Sequence, residues 1–406
     1  MLILRLFYYS SFFLFMGNWF GITALNWFVF ETYHSAIYLG YLNFARLIPI
    51  VLFSFWAGKL CDKYARSLLL KTYGLLGFII ALCLAVVIAV FEPSISILLF
   101  LTFLQGIISA LETPNRNSIL PDLAKEKNIS ELVSAHAFII NVCRTIGPAA
   151  AGFLIARSLL PVTFYLQALF LLISFLLILP VNIQRRVKRT SKMSSSSLQA
   201  VQKVFKQTRF ASSIFYSSLV VMTFGFSYNT ILPVLVDHQF VGQPAVFGIA
   251  MSSAAVGAIM AAVVLPRILK VMKEEKIFYS SLIIFAGSLY ITIFEYRSLF
   301  FIGLFLIGFF GQWLRSSNRI YFQNHVSEAE RGRVMSIVLM DRGMIPLGAM
   351  IVSFLTGKFG IVETFMIMAL CSLLPIVALL IKACVQNVRS RFANEFRKNQ
   401  KHTNTG

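Results

Sequence analysis

The sequence predicts an all-α polytopic membrane protein, with twelve transmembrane helices arranged as two pseudo-symmetric six-helix bundles. Three observations predict it. Of 406 residues, 58% are hydrophobic and only 13% are charged, too little polar surface for water to solvate. The apolar residues fall into about twelve blocks, each close to the roughly 20 residues that a helix needs to cross a 30 Å hydrocarbon core. A basic, serine-rich break divides the blocks into two equal sets, and short patterns on one side of it return on the other.

In chain order the spans read as 7–30, 37–57, 72–91, 94–111, 132–156 and 160–183, then 210–236, 245–266, 277–294, 298–317, 334–356 and 361–385. The first follows a single Arg5. Its apolar run is too long for a signal-peptide core and no small-x-small cleavage site follows, so it counts as a helix. Between the sets lies 184–209, carrying Arg185, Arg186, Lys188, Arg189, Lys192 and the serines 194–197. The domains are therefore a bundle over 1–183, a cytoplasmic linker over 184–209, a second bundle over 210–385 and a basic tail over 386–406. Asn115-Arg116 at the end of span four returns as Asn318-Arg319 at the end of span ten, and Arg144-x3-Pro148 in span five returns as Arg342-x3-Pro346 in span eleven. Equivalent placement in the two halves reads as an internal repeat, the pattern of transporters whose bundles rock about a midplane site.

Charge sets the orientation. Among 36 Lys and Arg residues, the connections on one side carry only Arg157, Arg297 and Lys358. Positive loops stay in the cytoplasm, so both termini are expected there, with the chain multi-pass in the cell membrane. The net charge of +20 then records topology and attraction to lipid head groups, with no nucleic-acid partner. Cys61, Cys83, Cys143, Cys371 and Cys384 lie in or beside spans with no C-x-x-C and read as small buried apolar residues. There is no H-E-x-x-H, and neither Gly58-Lys59 nor Gly357-Lys358 continues to the Ser or Thr of a phosphate loop. A metal, a cofactor, ATP as energy source and an enzymatic activity are therefore not expected.

The segment Gly58-Lys59-Leu60-Cys61-Asp62-Lys63-Tyr64-Ala65-Arg66 resembles the loop signature of the major facilitator superfamily, G-x-L-a-D-r-x-g-r, with Ala65 and Ser67 departing from it. Thr113-Pro114, Arg116 and Leu120-Pro121-Asp122, followed by Asn141-x2-Arg144-x2-Gly147-Pro148, resemble the branch of enterobactin exporters and macrolide efflux proteins. Gly147-Pro148-x2-Ala151-Gly152 is similar to the span-five motif of antiporters, although Ala151 and Cys143 stand where that motif has glycines. Gln105-Gly106 fits a further motif whose arginine falls at Thr102 here. The resemblance implies export, and it implies that spans one and four border a central cavity. Physically, the loop signature suits a cytoplasmic gate built from Gly58, Leu60, Asp62, Arg66, Glu112 and Arg116. Gly58 lets the backbone turn, Asp62 meets the positive end of a helix, and Arg66 meets a carboxylate such as Glu112.

Charges inside spans are costly, about 2.5–3.5 kcal/mol each on insertion scales, and usually face a cavity or a partner. Arg46, Arg144, Arg315 and Arg342 are such charges, and Asp341 is the acidic residue well inside a span. Surplus positive charge favours a substrate bearing carboxylates. Arg144 and Arg342 either face that substrate or bind carbonyls within their bundles. Asp341 is a candidate for reversible protonation or for a permanent pair with an arginine, and Glu31, near the outer end of span one, is a second proton-coupling candidate or an exposed carboxylate. Trp19, Thr23 and Asn26 share one helical face of span one, while Gln105 and Glu112 share one of span four. Phe224 and Tyr228 on span seven, with Gln312 and Arg315 on span ten, complete the expected cavity wall.

The function these features favour is a monomeric secondary transporter. It exports a small amphipathic compound, leaning to an anionic or zwitterionic siderophore or other metallophore, by proton-coupled alternating access. Multidrug or macrolide efflux is the alternative, uptake of the same compound is another, and a receptor or assembly partner that moves nothing is an alternative of a different class.

Overall fold

A computed structural model of the chain describes residues 2–123, 129–182, 205, 210–326, 334–335, 337–379 and 381; the side chains at 54, 55, 57, 58, 61, 62, 130 and 339 are outside that set. The expected linker (apart from Phe205), the basic tail, and the side-chain roles assigned to Gly58 and Asp62 lie outside the described residues.

The first six helices are α1 (Leu2–Tyr33), α2 (Ala36–Lys63), α3 (Arg66–Val90), α4 (Ile95–Leu123), α5 (Ile129–Ala156) and α6 (Leu160–Ile178). The second set comprises α7 (Ala211–Gln239), α8 (Pro244–Ile268), α9 (Glu274–Ile291), α10 (Arg297–His325), α11 (Met344–Phe359) and α12 (Ile361–Leu379). Every expected span has a helix. Ten of them, among the described residues, are long and apolar enough to cross a membrane on that ground alone. The remaining two are α9 and α11. Helix α9 opens on Glu274, Glu275 and Lys276, and α11 is 16 residues long because the turn before it, Leu339–Gly343, is 3-10 rather than α.

Several helices outrun the apolar blocks, and α4 shows why. Hydropathy places its end at the first charge, yet it continues through Glu112, Arg116 and two prolines to Leu123. Arg116 Nε donates to Glu112 Oε1 at 2.8 Å, one turn apart, so the two charges compensate each other inside the bundle and need no water. Both are buried, Arg116 at 1% exposure.

The two sets form two bundles. In the first, α1 packs on α5 and α6, α3 on α4 and α6, and α2 on α4; in the second, α10 packs on α8 and α9, and α7 on α11. Across the divide α5 meets α8 and α2 meets α11, the pairing that a two-fold repeat dictates. A Cβ on Gly152 would lie 2.9 Å from the Gly248 Cα, so side-chain-free positions on both helices let these backbones touch. Gly40 lies equally close to Ser353, and Trp27 stacks on Phe247 with ring centroids 5.9 Å apart. These approaches sit toward the end carrying the α1–α2 and α7–α8 connections, the outer end on the expected orientation.

Candidate functional site

Where the bundles face each other they leave a cavity of about 400 Å3, within the range of small-molecule sites. Its wall includes Trp19, Asn26, Arg46 and Arg144 from the first bundle and Phe226, Tyr228 and Arg315 from the second. Among the described residues, no Asp or Glu lines it.

The three arginines are held alike. Arg46 Nη2 donates to Asn43 Oδ1 at 2.6 Å, Arg144 Nη2 to Asn141 Oδ1 at 3.0 Å, and Arg315 Nη2 to Gln312 Oε1 at 3.1 Å. In each case a neutral amide three residues earlier on the same helix takes one N–H. That spacing places it one turn away, on the same face. An amide orients the guanidinium without cancelling its charge, so the cavity stays cationic. Asn43 also donates to Asn26 Oδ1 at 2.7 Å, and Asn26 donates to the Ile22 carbonyl at 2.8 Å, which ties Arg46 to α1. The Arg315 guanidinium lies over the Phe226 ring, 4.6 Å from its centroid, a cation–π contact.

The remaining expected cavity residues fall elsewhere. Thr23 is buried and donates to the Trp19 carbonyl at 2.8 Å. Gln312 acts behind Arg315, and Gln105 lines a separate chamber inside the first bundle. Phe224 gives way to Phe226 because α7 contains a π turn at Val221–Gly225, which rotates the residues after it away from α-helical register. Arg342 is exposed, on the 3-10 turn. The sequence reading missed Asn43, whose only signal is the Asn-x2-Arg spacing it shares with Asn141 and Arg144.

Asp341 is buried, accepting from Ser218 Oγ at 2.6 Å and from Asn318 Nδ2 at 3.2 Å. Glu31 is exposed. At the gate, the expected pairing of Arg66 with Glu112 is corrected. Arg66 bonds Asp122 Oδ2 at 2.5 Å and the Ser118 carbonyl at 2.8 Å, while Glu112, more than two turns earlier on α4, is taken by Arg116. Leu60 packs beside Leu69, Tyr73 and Ile108. Gly147 lies under Trp19, and Pro148 and Gly152 form the crossing with Gly248 of α8, so the antiporter-like motif builds the bundle interface. Among the described residues, no group of three or more His, Cys, Asp and Glu side chains could hold a metal.

A family model described as transmembrane secretion effector matches residues 2–402. The staphyloferrin A transporter of Staphylococcus aureus is 44% identical over 370 residues, covering 91% of this chain and 93% of that protein. Macrolide efflux protein A of Streptococcus pyogenes is 21% identical, over 85% of this chain and 87% of its own. Among solved structures, the nucleoside transporter NupG superposes with a TM-score of 0.76 at 17% identity, over 94% of this chain and 99% of that one.

Proposed function

Because the chain belongs to the transmembrane secretion effector family of major facilitator superfamily transporters, we propose that it exports a siderophore bearing several carboxylates, by alternating access of its two bundles. The observation that carries this reading is the cavity with Arg46, Arg144 and Arg315 on its wall and, among the described residues, no carboxylate lining it. Guanidiniums in that setting favour a ligand that brings the negative charge, and planar carboxylates match their fork geometry. Arg46 and Arg144 belong to the first bundle and Arg315 to the second, so one multivalent anion can bridge both and draw them together around itself. The 44% identity to a staphyloferrin A transporter supports the same substrate class. Bundle contacts near the expected outer end suit loading from the cytoplasm. An interior-negative membrane potential also pushes an anion outward, by about 2.3 kcal/mol per charge per 100 mV.

The proton is the coupling ion of this reading, with Asp341 and Glu31 as the groups to carry it. Replacing both with amides should abolish uphill export, and retention of uphill export would remove both from that role. The reading as a whole is tested by mass spectrometry of cell extract and medium from iron-starved cells lacking the protein, carrying it, or carrying Arg46→Ala. A metal-chelating polycarboxylate should be retained inside cells lacking the protein and inside those with the variant. Accumulation in the medium instead would make the direction uptake, and an unchanged profile would overturn siderophore transport.

A further inference from the structure

Inside the first bundle lies a second cavity, of about 110 Å3, walled by α1, α2, α3, α4 and α6. Ile22, Asn26, Arg46 and Ser109 line both cavities, so this chamber adjoins the central one past the Arg46 side chain. Three polar atoms on its lining side chains, Thr102 Oγ1, Gln105 Nε2 and Gln167 Oε1, have no hydrogen-bond partner among the described residues. Thr102 is 1% exposed and Gln167 2%. A hydroxyl, an amide donor and an amide acceptor around one space need partners, since unpaired buried polar atoms are costly. The space is several times the roughly 10–15 Å3 that one water requires.

Glu112 is also part of the chamber wall. Its partner Arg116 does not depend on it alone: Nη1 lies 3.1 Å from Ser11 Oγ, and Nη2 lies 3.2 Å from Ser10 Oγ and 3.4 Å from Ser174 Oγ. Those hydroxyls remain as acceptors when the carboxylate is neutralised, so the guanidinium keeps hydrogen bonds then, which lowers the penalty for breaking a buried pair. We infer that the chamber is a water-filled proton route and that Glu112 is a proton-binding group of the first bundle, reached from the central cavity past Arg46. A proton delivered along the waters bonds to a Glu112 carboxylate oxygen, converting it to the neutral acid, and leaves by the same waters. The charged and titratable groups around Glu112 are Arg116 on its own helix, Arg46 on α2 across the chamber, and His136 on α5, whose ring packs against the Phe7 ring that also lies under Arg116. Helices α1 and α6 offer neutral groups there, Ser10, Ser11, Asn18, Gln167 and Ser174.

Arg46 lines both cavities, so a substrate anion seated on it stands at the mouth of the chamber. This rests on the cavity of the export reading, but the proton site can be measured with no substrate present, so the two fail separately.

The test is infrared difference spectroscopy of the full-length protein in lipid, titrated with acid, with the carboxyl carbons of glutamate or of aspartate isotopically labelled. A protonated-carboxyl band should appear that moves with the glutamate label and is lost in Glu112→Gln. In Arg46→Gln, which alters the side chain at the mouth of the chamber, the rate at which the band shifts in heavy water should change. The band should shift promptly in heavy water, and that prompt shift should be lost in Gly77→Val, where the added side chain has room to enter the chamber: a Cβ there meets only Leu171 and Ile108, at 3.6 and 3.7 Å. Arg46→Gln and Gly77→Val in labelled protein carry the test if Glu112→Gln does not fold. A buried band that moves only with the aspartate label would overturn the proposal in favour of Asp341. A glutamate band unaffected by either Arg46→Gln or Gly77→Val would overturn the route past Arg46.

Discussion

Asn43 decides how Arg46 presents its charge, because it both accepts from the guanidinium at 2.6 Å and donates to Asn26 on α1. Asn43→Ala removes one hydrogen bond to a charged group, worth about 1.5–3 kcal/mol, which is roughly tenfold or more in affinity for an anionic substrate. Asn43→Asp makes the sharper prediction. It keeps the shape of the side chain but places a carboxylate against Arg46, so the positive charge is spent within the protein and anion export should fall further than in Asn43→Ala. The measurement is export rate at matched amounts of membrane-inserted protein. Equal loss in the two variants would mean that Asn43 acts through packing alone. The gate shows a limit of reading single residues from sequence. The loop signature pointed to Arg66, Glu112 and Arg116 as gate charges, but the partner of Arg66 is Asp122, one turn past Ser118, whose carbonyl the same guanidinium nitrogen also reaches. Which carboxylate an arginine takes depends on how far α4 runs beyond the apolar block, and hydropathy ends that helix too early.

Helix α7 shows the same limit at the scale of an element. Its existence was legible from composition, but a π turn at Val221–Gly225 is not, since no residue in Val-Met-Thr-Phe-Gly requires it. The turn lies where α11 comes closest: Gly348 packs on the Thr223 carbonyl, and Ser227 Oγ donates to that carbonyl at 2.7 Å. The turn sets which aromatic faces the cavity, so Phe226 takes the place that uniform helical spacing assigned to Phe224. The α5–α8 crossing is more directly encoded, because a side chain at Gly248 would strike the Pro148 carbonyl and the Gly152 backbone. Gly248→Leu should therefore force the bundles apart at the expected outer end while leaving each bundle intact. Spin labels at Leu159 and Val241, in an otherwise cysteine-free chain, should report a longer distance together with loss of transport. An unchanged distance would show that the crossing tolerates side chains and does not govern closure.

For the whole molecule, the repeat that short patterns suggested also explains how the charges are distributed. Setting Asn115-Arg116 against Asn318-Arg319 places Glu112 opposite Arg315, and setting Arg144 against Arg342 places Cys143 opposite Asp341. The first repeat keeps its carboxylate on α4, paired with Arg116; the second carries it on the 3-10 turn before α11, bound by Ser218 and Asn318, and Arg315 is left facing the central cavity. The sequence showed both arginines and both carboxylates, but only packing shows that exchanging positions between repeats leaves the cavity wall cationic. A carrier with fixed cations and a mobile polyanion moves net negative charge outward, and a proton entering in exchange adds to that movement. For a substrate carrying three charges exchanged for one proton, the four charges gain about 9.2 kcal/mol per 100 mV of interior-negative potential. In inverted membrane vesicles, where the normally outer face lies inside, uptake of the siderophore should therefore follow the electrical gradient. It should fall most when potassium and valinomycin abolish the potential, and fall less when nigericin removes only the pH gradient. The opposite pattern would mean that the pH gradient drives exchange of an uncharged form of the substrate for protons, and that Asp341, Glu31 or Glu112 carries more of the coupling than the field does.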